Sequence, residues 1–130
     1  MKILIIEDSK FLHTIYKHEF RELGELIIHS DFISALNFLK ESIIEKNHID
    51  LILHDVILPD INGILGVKII RAMEEVGGVE PSKIFMLTSE ADMKTVRSAV
   101  ESGCNDYLSK PIDRKTFIEK IKKYNLELPE

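Results

Sequence analysis

The chain has 130 residues, is 45% hydrophobic, and carries 22 acidic against 17 basic residues for a net charge of -5. That length suits one domain that buries roughly two-thirds of its unfolded surface without disulfide or zinc support. The acidic balance argues against nucleic-acid binding, and MKILIIEDS, whose short apolar run soon meets two acids, is neither a signal peptide nor a membrane span.

Along the chain, strand-like apolar runs alternate with stripes of helical spacing, the pattern of a parallel sheet covered on both faces. The first run, Ile3 to Ile6, is followed by Leu12, Tyr16, Phe20 and Leu23 at helical spacing, with Ser9 as the cap and Gly24 as the stop. Leu26 to His29 forms a second run, and Phe32, Ala35, Leu36, Leu39 and Ile43 a second helix. After Leu51 to His54 comes a third helix on Leu65, Ile69, Ala72, Met73 and Val76, closed by Gly77-Gly78. Ile84 to Leu87 precedes a fourth helix on Met93, Val96, Ala99 and Val100, closed near Gly103. Asp106 to Leu108 precedes a fifth on Phe117, Ile118, Ile121 and Tyr124, capped by Asp113. These stripes are core-facing surfaces, and right-handed βα crossovers make the fold a doubly wound α/β sheet. We expect one domain over residues 1–125 and a short tail over 126–130 with no output domain.

The residues that leave the strands carry the chemistry. Glu7 and Asp8 follow KILII, Asp55 follows LILH, Thr88 follows KIFML, and Lys110 follows DYLS. In open parallel sheets ligands gather outside the carboxyl ends of the strands, so these residues share a crevice. Alone, Asp55 reads as a turn former or cap, Glu7-Asp8 as an acidic first turn, Lys110 as a solvated lysine and Thr88 as a strand-end residue. Their recurrence at successive strand ends favours a common site. Crowded carboxylates resist joint ionisation unless a cation joins them. Magnesium, or manganese, is the hard oxygen-seeking ion for such a set.

In this order and spacing, Glu7-Asp8, Asp55 with Pro59-Asp60 and Gly63, Thr88-Ser89, Tyr107 and Lys110-Pro111 resemble the receiver domains of two-component response regulators, single-domain chemotaxis regulators in particular. The resemblance covers essentially the whole chain. It implies a flavodoxin-like five-stranded parallel sheet of order 2-1-3-4-5 with five helices, an order the handedness rules leave open. It further implies that Asp55 accepts a phosphoryl group from a sensor histidine kinase or phosphotransfer protein. Asp8 and Asp55 would ligate Mg2+ directly, Glu7 mainly through water, and Ile57 by its backbone carbonyl. Lys110 and Thr88 would hold phosphoryl oxygens. Thr88 and Tyr107 would form a switch that alters the face of the fourth helix, fifth strand and fifth helix, with Arg97, Lys115 and Lys122 as further candidates on that face. The Lys110-Pro111 bond is usually cis in the family. The output would be binding of a downstream protein or homodimerisation, in the cytoplasm, without substrate turnover and without contact to nucleic acid or membrane.

Three positions depart from the family pattern. His54 replaces an aliphatic residue, and strand alternation turns it away from Asp55 as a satisfied buried histidine. Ile57 and Glu90, two residues after Asp55 and Thr88, stand where phosphoryl lifetime is set; apolar Ile57 cannot orient a water, so slow to moderate self-dephosphorylation is expected. The remaining histidines share no metal spacing, and the lone Cys104 is a buried free thiol. An aspartate-nucleophile phosphatase would need an acid where Ile57 stands. A flavin or nucleotide module would need a glycine-rich phosphate loop after the first strand, which is absent. A receiver-like module that binds partners without phosphorylation would not need the full motif set.

Overall fold

The computed structural model describes residues 1–89 and 101–128. Five strands, β1 (Lys2–Ile6), β2 (Glu25–His29), β3 (Leu51–Asp55), β4 (Lys83–Thr88) and β5 (Asp106–Ser109), form one sheet of order β2-β1-β3-β4-β5. Every pair is parallel. The described α-helices are α1 (Lys10–Phe20), α2 (Phe32–Ile44), α3 (Gly63–Gly77) and α4 (Arg114–Lys123), the last being the fifth helical stripe of the sequence. The stripe on Met93, Val96, Ala99 and Val100 lies outside the described residues, as do Glu90 and Arg97.

Side-chain alternation splits the core into two layers. Leu4, Ile6, Ile52, Ile84 and Met86 face α2 and α3, where Phe32, Ala35, Leu39, Val67 and Ile70 meet them. Ile3, Ile5, Leu51, Leu53, Phe85, Leu87 and Leu108 face α1 and α4, against Tyr16, Phe20, Phe117 and Ile121. All five residues of β3 are buried, as a central strand covered on both faces requires. Each fully buried aliphatic side chain there contributes about 1.5–3 kcal/mol. Cys104 is a buried free thiol, and Leu126 and Leu128 pack against the α1/α4 layer.

The helices begin where side chains cap them. Ser9 Oγ accepts from the Leu12 N–H at 3.3 Å, Asn62 Oδ1 from Ile64 at 2.8 Å, and Asp113 Oδ2 from Thr116 at 3.0 Å. The first helix stops before Gly24, at Phe20, and a 3-10 turn over Arg21–Leu23 completes the stripe. Two acids serve α2: Asp31 accepts from Ser34 at 2.8 Å, while Asp60, from the β3–α3 loop, accepts from Phe32 and Ile33 at 3.0 Å each. Gly63 must be glycine because a Cβ there would stand 2.3 Å from the Asp55 carbonyl oxygen. Through that close approach α3 begins directly against the end of β3.

Candidate phosphoryl-acceptor site

Glu7, Asp55 and Lys110 continue the odd-numbered or even-numbered faces that look toward α1 and α4, so the strand ends deliver them to one place. Glu7 is 1% exposed and Asp55 4% exposed, whereas Asp8 is exposed. Carboxylate oxygens of Glu7, Asp8 and Asp55 all lie within 4.8 Å of one another. The Lys110 ammonium stands 2.6 Å from Asp55 Oδ2 and 2.8 Å from Glu7 Oε1. Burial disfavours that ammonium, but the Asp55 and Glu7 carboxylates that receive it win, and the Lys110 pKa is raised above its ordinary value.

The remaining lone pairs are served unequally. Asp55 Oδ1 accepts from the Ile57 N–H at 3.0 Å. Glu7 Oε2 accepts weakly from the Ser9 N–H at 3.3 Å. Glu7 Oε1 has the Lys110 charge beside it as an ion pair, yet no hydrogen bond, although it is buried. The cleft above has a volume of about 270 Å³ and is lined by Asp8, Asp55, Val56, Ile57, Leu87, Thr88, Ser89 and Lys110. Thr88, 1% exposed, turns its hydroxyl to the Ser89 carbonyl at 3.1 Å.

Tyr107 lies farther along the sheet edge, half-buried against the α2/α3 layer, with the Lys120 ammonium 4.8 Å from its ring centroid. Lys120 also donates to the Tyr107 carbonyl at 2.7 Å and pairs with Asp106 at 2.6 Å. The Lys110-Pro111 peptide is cis. Lys115 and Lys122 are exposed on α4.

His54 is fully buried and faces away from the cleft, with its ring 5.7 Å from that of Phe32. It is only half satisfied: Nδ1 meets the Asp55 carbonyl at 2.8 Å, but Nε2 has no partner. Burial pushes its pKa down to about 4.

Sequence reasoning placed Glu7, Asp8, Asp55, Thr88 and Lys110 around one cleft, and the structure brings them together. It did not anticipate that Lys110 would pair with Glu7 as well as Asp55, or that Asp60 would hold the start of α2. Nor did it single out Tyr16, whose buried hydroxyl has no hydrogen-bond partner; in the sequence Tyr16 is one more member of an apolar stripe.

Residues 3–122 match the family model of the response regulator receiver domain. The chain belongs to that family. Receiver domains are the phospho-accepting switches of two-component signalling, so this is the coarse function of the chain. Among curated relatives, the chemotaxis protein CheY-3 of Vibrio cholerae is 34% identical over 125 residues, spanning 95% of this chain and 90% of that protein. The polar-differentiation response regulator DivK of Brucella ovis is 29% identical over 123 residues, 94% of each. Among solved structures, the receiver domain of Ssk1, crystallised with the histidine phosphotransfer protein Ypd1 of Saccharomyces cerevisiae, aligns with a TM-score of 0.81 at 28% identity, covering 95% of this chain and 88% of that one. A putative response regulator from Chloroflexus aurantiacus aligns with a TM-score of 0.77 at 28% identity, 94% of each chain. The five-stranded order 2-1-3-4-5 is thus the family's fold, and no helix among the described residues is long and apolar enough to cross a membrane.

Proposed function

We infer that Asp55 is the phosphoryl acceptor of a magnesium-dependent switch. The observation that carries this reading is the convergence of Glu7, Asp8 and Asp55 within 4.8 Å, with Lys110 2.6 Å from Asp55, at the floor of an open cleft. Three carboxylates against one ammonium leave an excess of two negative charges, which suits one divalent cation. The buried Glu7 Oε1 that lacks a hydrogen bond gives such an ion, or a water on it, an acceptor to satisfy. Asp8 and Asp55 would hold Mg2+ or Mn2+ directly, the Ile57 carbonyl would complete the protein ligands, and Glu7 would act mainly through water. The ion supplies neutralisation of phosphoryl oxygens.

The chain's own residues do the rest. The Ile57 N–H fixes one Asp55 oxygen and Lys110 sits on the other, which orients the carboxylate before a donor arrives. Attack by an Asp55 oxygen on phosphorus forms the acyl phosphate, and the donor's leaving group departs on the opposite side. Lys110 then follows the transferred oxygens, and Thr88 exchanges its bond to the Ser89 carbonyl for one to the phosphoryl group. That motion opens or closes the space beside Tyr107, whose position under Lys120 couples it to α4.

A histidine kinase or phosphotransfer protein is the donor. Phe11, 75% exposed at the start of α1, and Ile57, 64% exposed at the cleft, give that partner an apolar rim. The output is a change of affinity for a downstream protein, or homodimerisation, with the functional unit in residues 1–125 of a cytoplasmic protein. The position of Ile57, where an aspartate-nucleophile phosphatase would need an acid, supports a switch without metabolite turnover. Incubation with a small acyl-phosphate donor and Mg2+, followed by intact mass, should give one phosphoryl group per chain. The adduct should be absent with chelator and in Asp55→Asn. Repeated hydrolysis of a phosphorylated metabolite would overturn the reading in favour of a phosphatase.

A further inference from the structure

A second hollow lies at the other end of the sheet. Between the C-terminal halves of α2 and α3, at the amino ends of β3 and β4, a cavity of about 270 Å³ opens to solvent. Its walls are apolar: Leu39, Ile49 and Ile70 are buried, and Met73 is half-buried. The buried polar side chains in those walls are Ser42, Glu74 and Ser82. Each has already spent whatever it could donate. The Ser42 hydroxyl donates to the Phe38 carbonyl at 2.9 Å, and the Ser82 hydroxyl to the Ile49 carbonyl at 2.6 Å. The Glu74 carboxylate only accepts, from Arg71 and from the Ser82 N–H.

What these side chains can still offer an occupant is lone pairs. A carboxylate or phosphate would therefore find no buried side-chain donor in the wall, and the Arg71 guanidinium is taken up by Gly103, Glu74, Ser82 and Asn105. A buried ammonium is disfavoured too, because Glu74 already has its counter-ion and a second charge would be desolvated without one. A neutral apolar body with one N–H or O–H satisfies both conditions. The volume falls just below the range of about 300–1,000 Å³ usual for small-molecule sites, which suits a fused two-ring molecule and not a nucleotide or a peptide. Lys46, Asn47 and His48 stand at the mouth, exposed to water. We propose that this cavity is a binding site for a small, neutral, apolar molecule with a single hydrogen-bond donor, held by the lone pairs of Ser42 and Ser82. It is separate from the phosphoryl-acceptor cleft and does not depend on that reading.

Indole and benzofuran test this directly, because they share a shape and differ in carrying an N–H or an acceptor oxygen at the same ring position. Titrated into the full chain and followed by methyl NMR, indole should shift the Ile49, Ile70 and Met73 methyls and leave those of Ile3 and Ile5, in the other core layer, in place. Its dissociation constant should be about 1 mM or tighter. Benzofuran should bind about fivefold more weakly, the worth of one hydrogen bond. Met73→Trp, which fills the cavity from its half-buried wall, should abolish the indole shifts, whereas Met73→Leu should keep them. Should Met73→Trp fold poorly, the two probes on the wild type still decide. Equal binding of indole and benzofuran overturns the acceptor-lined site, and so does tighter binding of benzofuran. Absence of indole binding, or shifts confined to other methyls, overturns the cavity as a ligand site.

Discussion

The two ends of the sheet treat buried charge in opposite ways. At the amino ends of β4 and β5, Glu74 is 5% exposed and fully engaged: Oε1 pairs with Arg71 at 2.8 Å and Oε2 accepts from the Ser82 N–H at 2.7 Å. Arg71 also donates to the carbonyls of Gly103 at 3.0 Å and Ser82 at 2.7 Å, and to Asn105 Oδ1 at 2.9 Å, tying α3 to the approach of β5. At the carboxyl ends, three acids crowd together, one lysine pairs with two of them, and the buried Glu7 Oε1 has no hydrogen bond. A network in which both carboxylate oxygens have their donors holds the fold in one arrangement; a network short of donors and of positive charge gains most when a cation and a phosphoryl group arrive.

The largest expected effect separates the ends through stability. Glu74→Ala leaves the Arg71 guanidinium without its carboxylate and should destabilise the fold by about 3 kcal/mol, seen as a lower urea midpoint with unchanged slope. Asp8→Asn, on the crowded side, should raise the melting temperature without Mg2+ and abolish the rise that Mg2+ gives the wild type. If both substitutions destabilise alike in the absence of metal, the contrast between the ends is lost.

A comparable effect concerns His54. Its folded pKa near 4 lies below the ordinary 6.5, so between those values the unfolded chain binds a proton that the folded chain refuses. Stability therefore falls as pH drops from 6.5 to about 4 and levels off below, by about 3 kcal/mol for this group. His54→Leu should flatten that part of the pH profile; an identical slope in both proteins would show that other groups set it.

Asp60 reaches across to the start of α2, and Asp60→Ala should cost about 1–2 kcal/mol, with the first amides of α2 losing protection from hydrogen exchange. The smallest effect is kinetic. Ile57 lines the cleft and cannot orient a water, so Ile57→Asn should speed loss of the phosphoryl group severalfold without altering stability. An unchanged decay would remove Ile57 from the control of lifetime.

Much of this was legible in the sequence for a physical reason. The sheet follows from apolar runs alternating with helical stripes, and strands that end in Glu7, Asp55, Thr88 and Lys110 must deliver those side chains to one edge. Gly63 and Lys110-Pro111 were legible as motif members, although the need for glycine against the Asp55 carbonyl appears only once α3 is seated. What pattern could not supply were partnerships chosen by tertiary distance. Lys110 touches Glu7, 103 positions away in the chain by their numbers, because β1 and β5 flank β3 and β4 on one face. Arg71 likewise finds Asn105 through the α3 crossover, and periodicity alone records only that both are polar. Tyr16 was hidden because an aromatic residue in a buried stripe looks the same whether or not its hydroxyl has a partner.

Treating the protein with a small acyl-phosphate donor and Mg2+, then reducing with borohydride, converts an aspartyl phosphate to homoserine that peptide mass mapping locates. The expected result is homoserine at position 55 alone, and none when Mg2+ is chelated. Homoserine at Asp8 or another aspartate, or the 5-hydroxynorvaline that a phosphorylated Glu7 would give, with position 55 unmodified, or labelling that ignores the metal, would contradict it.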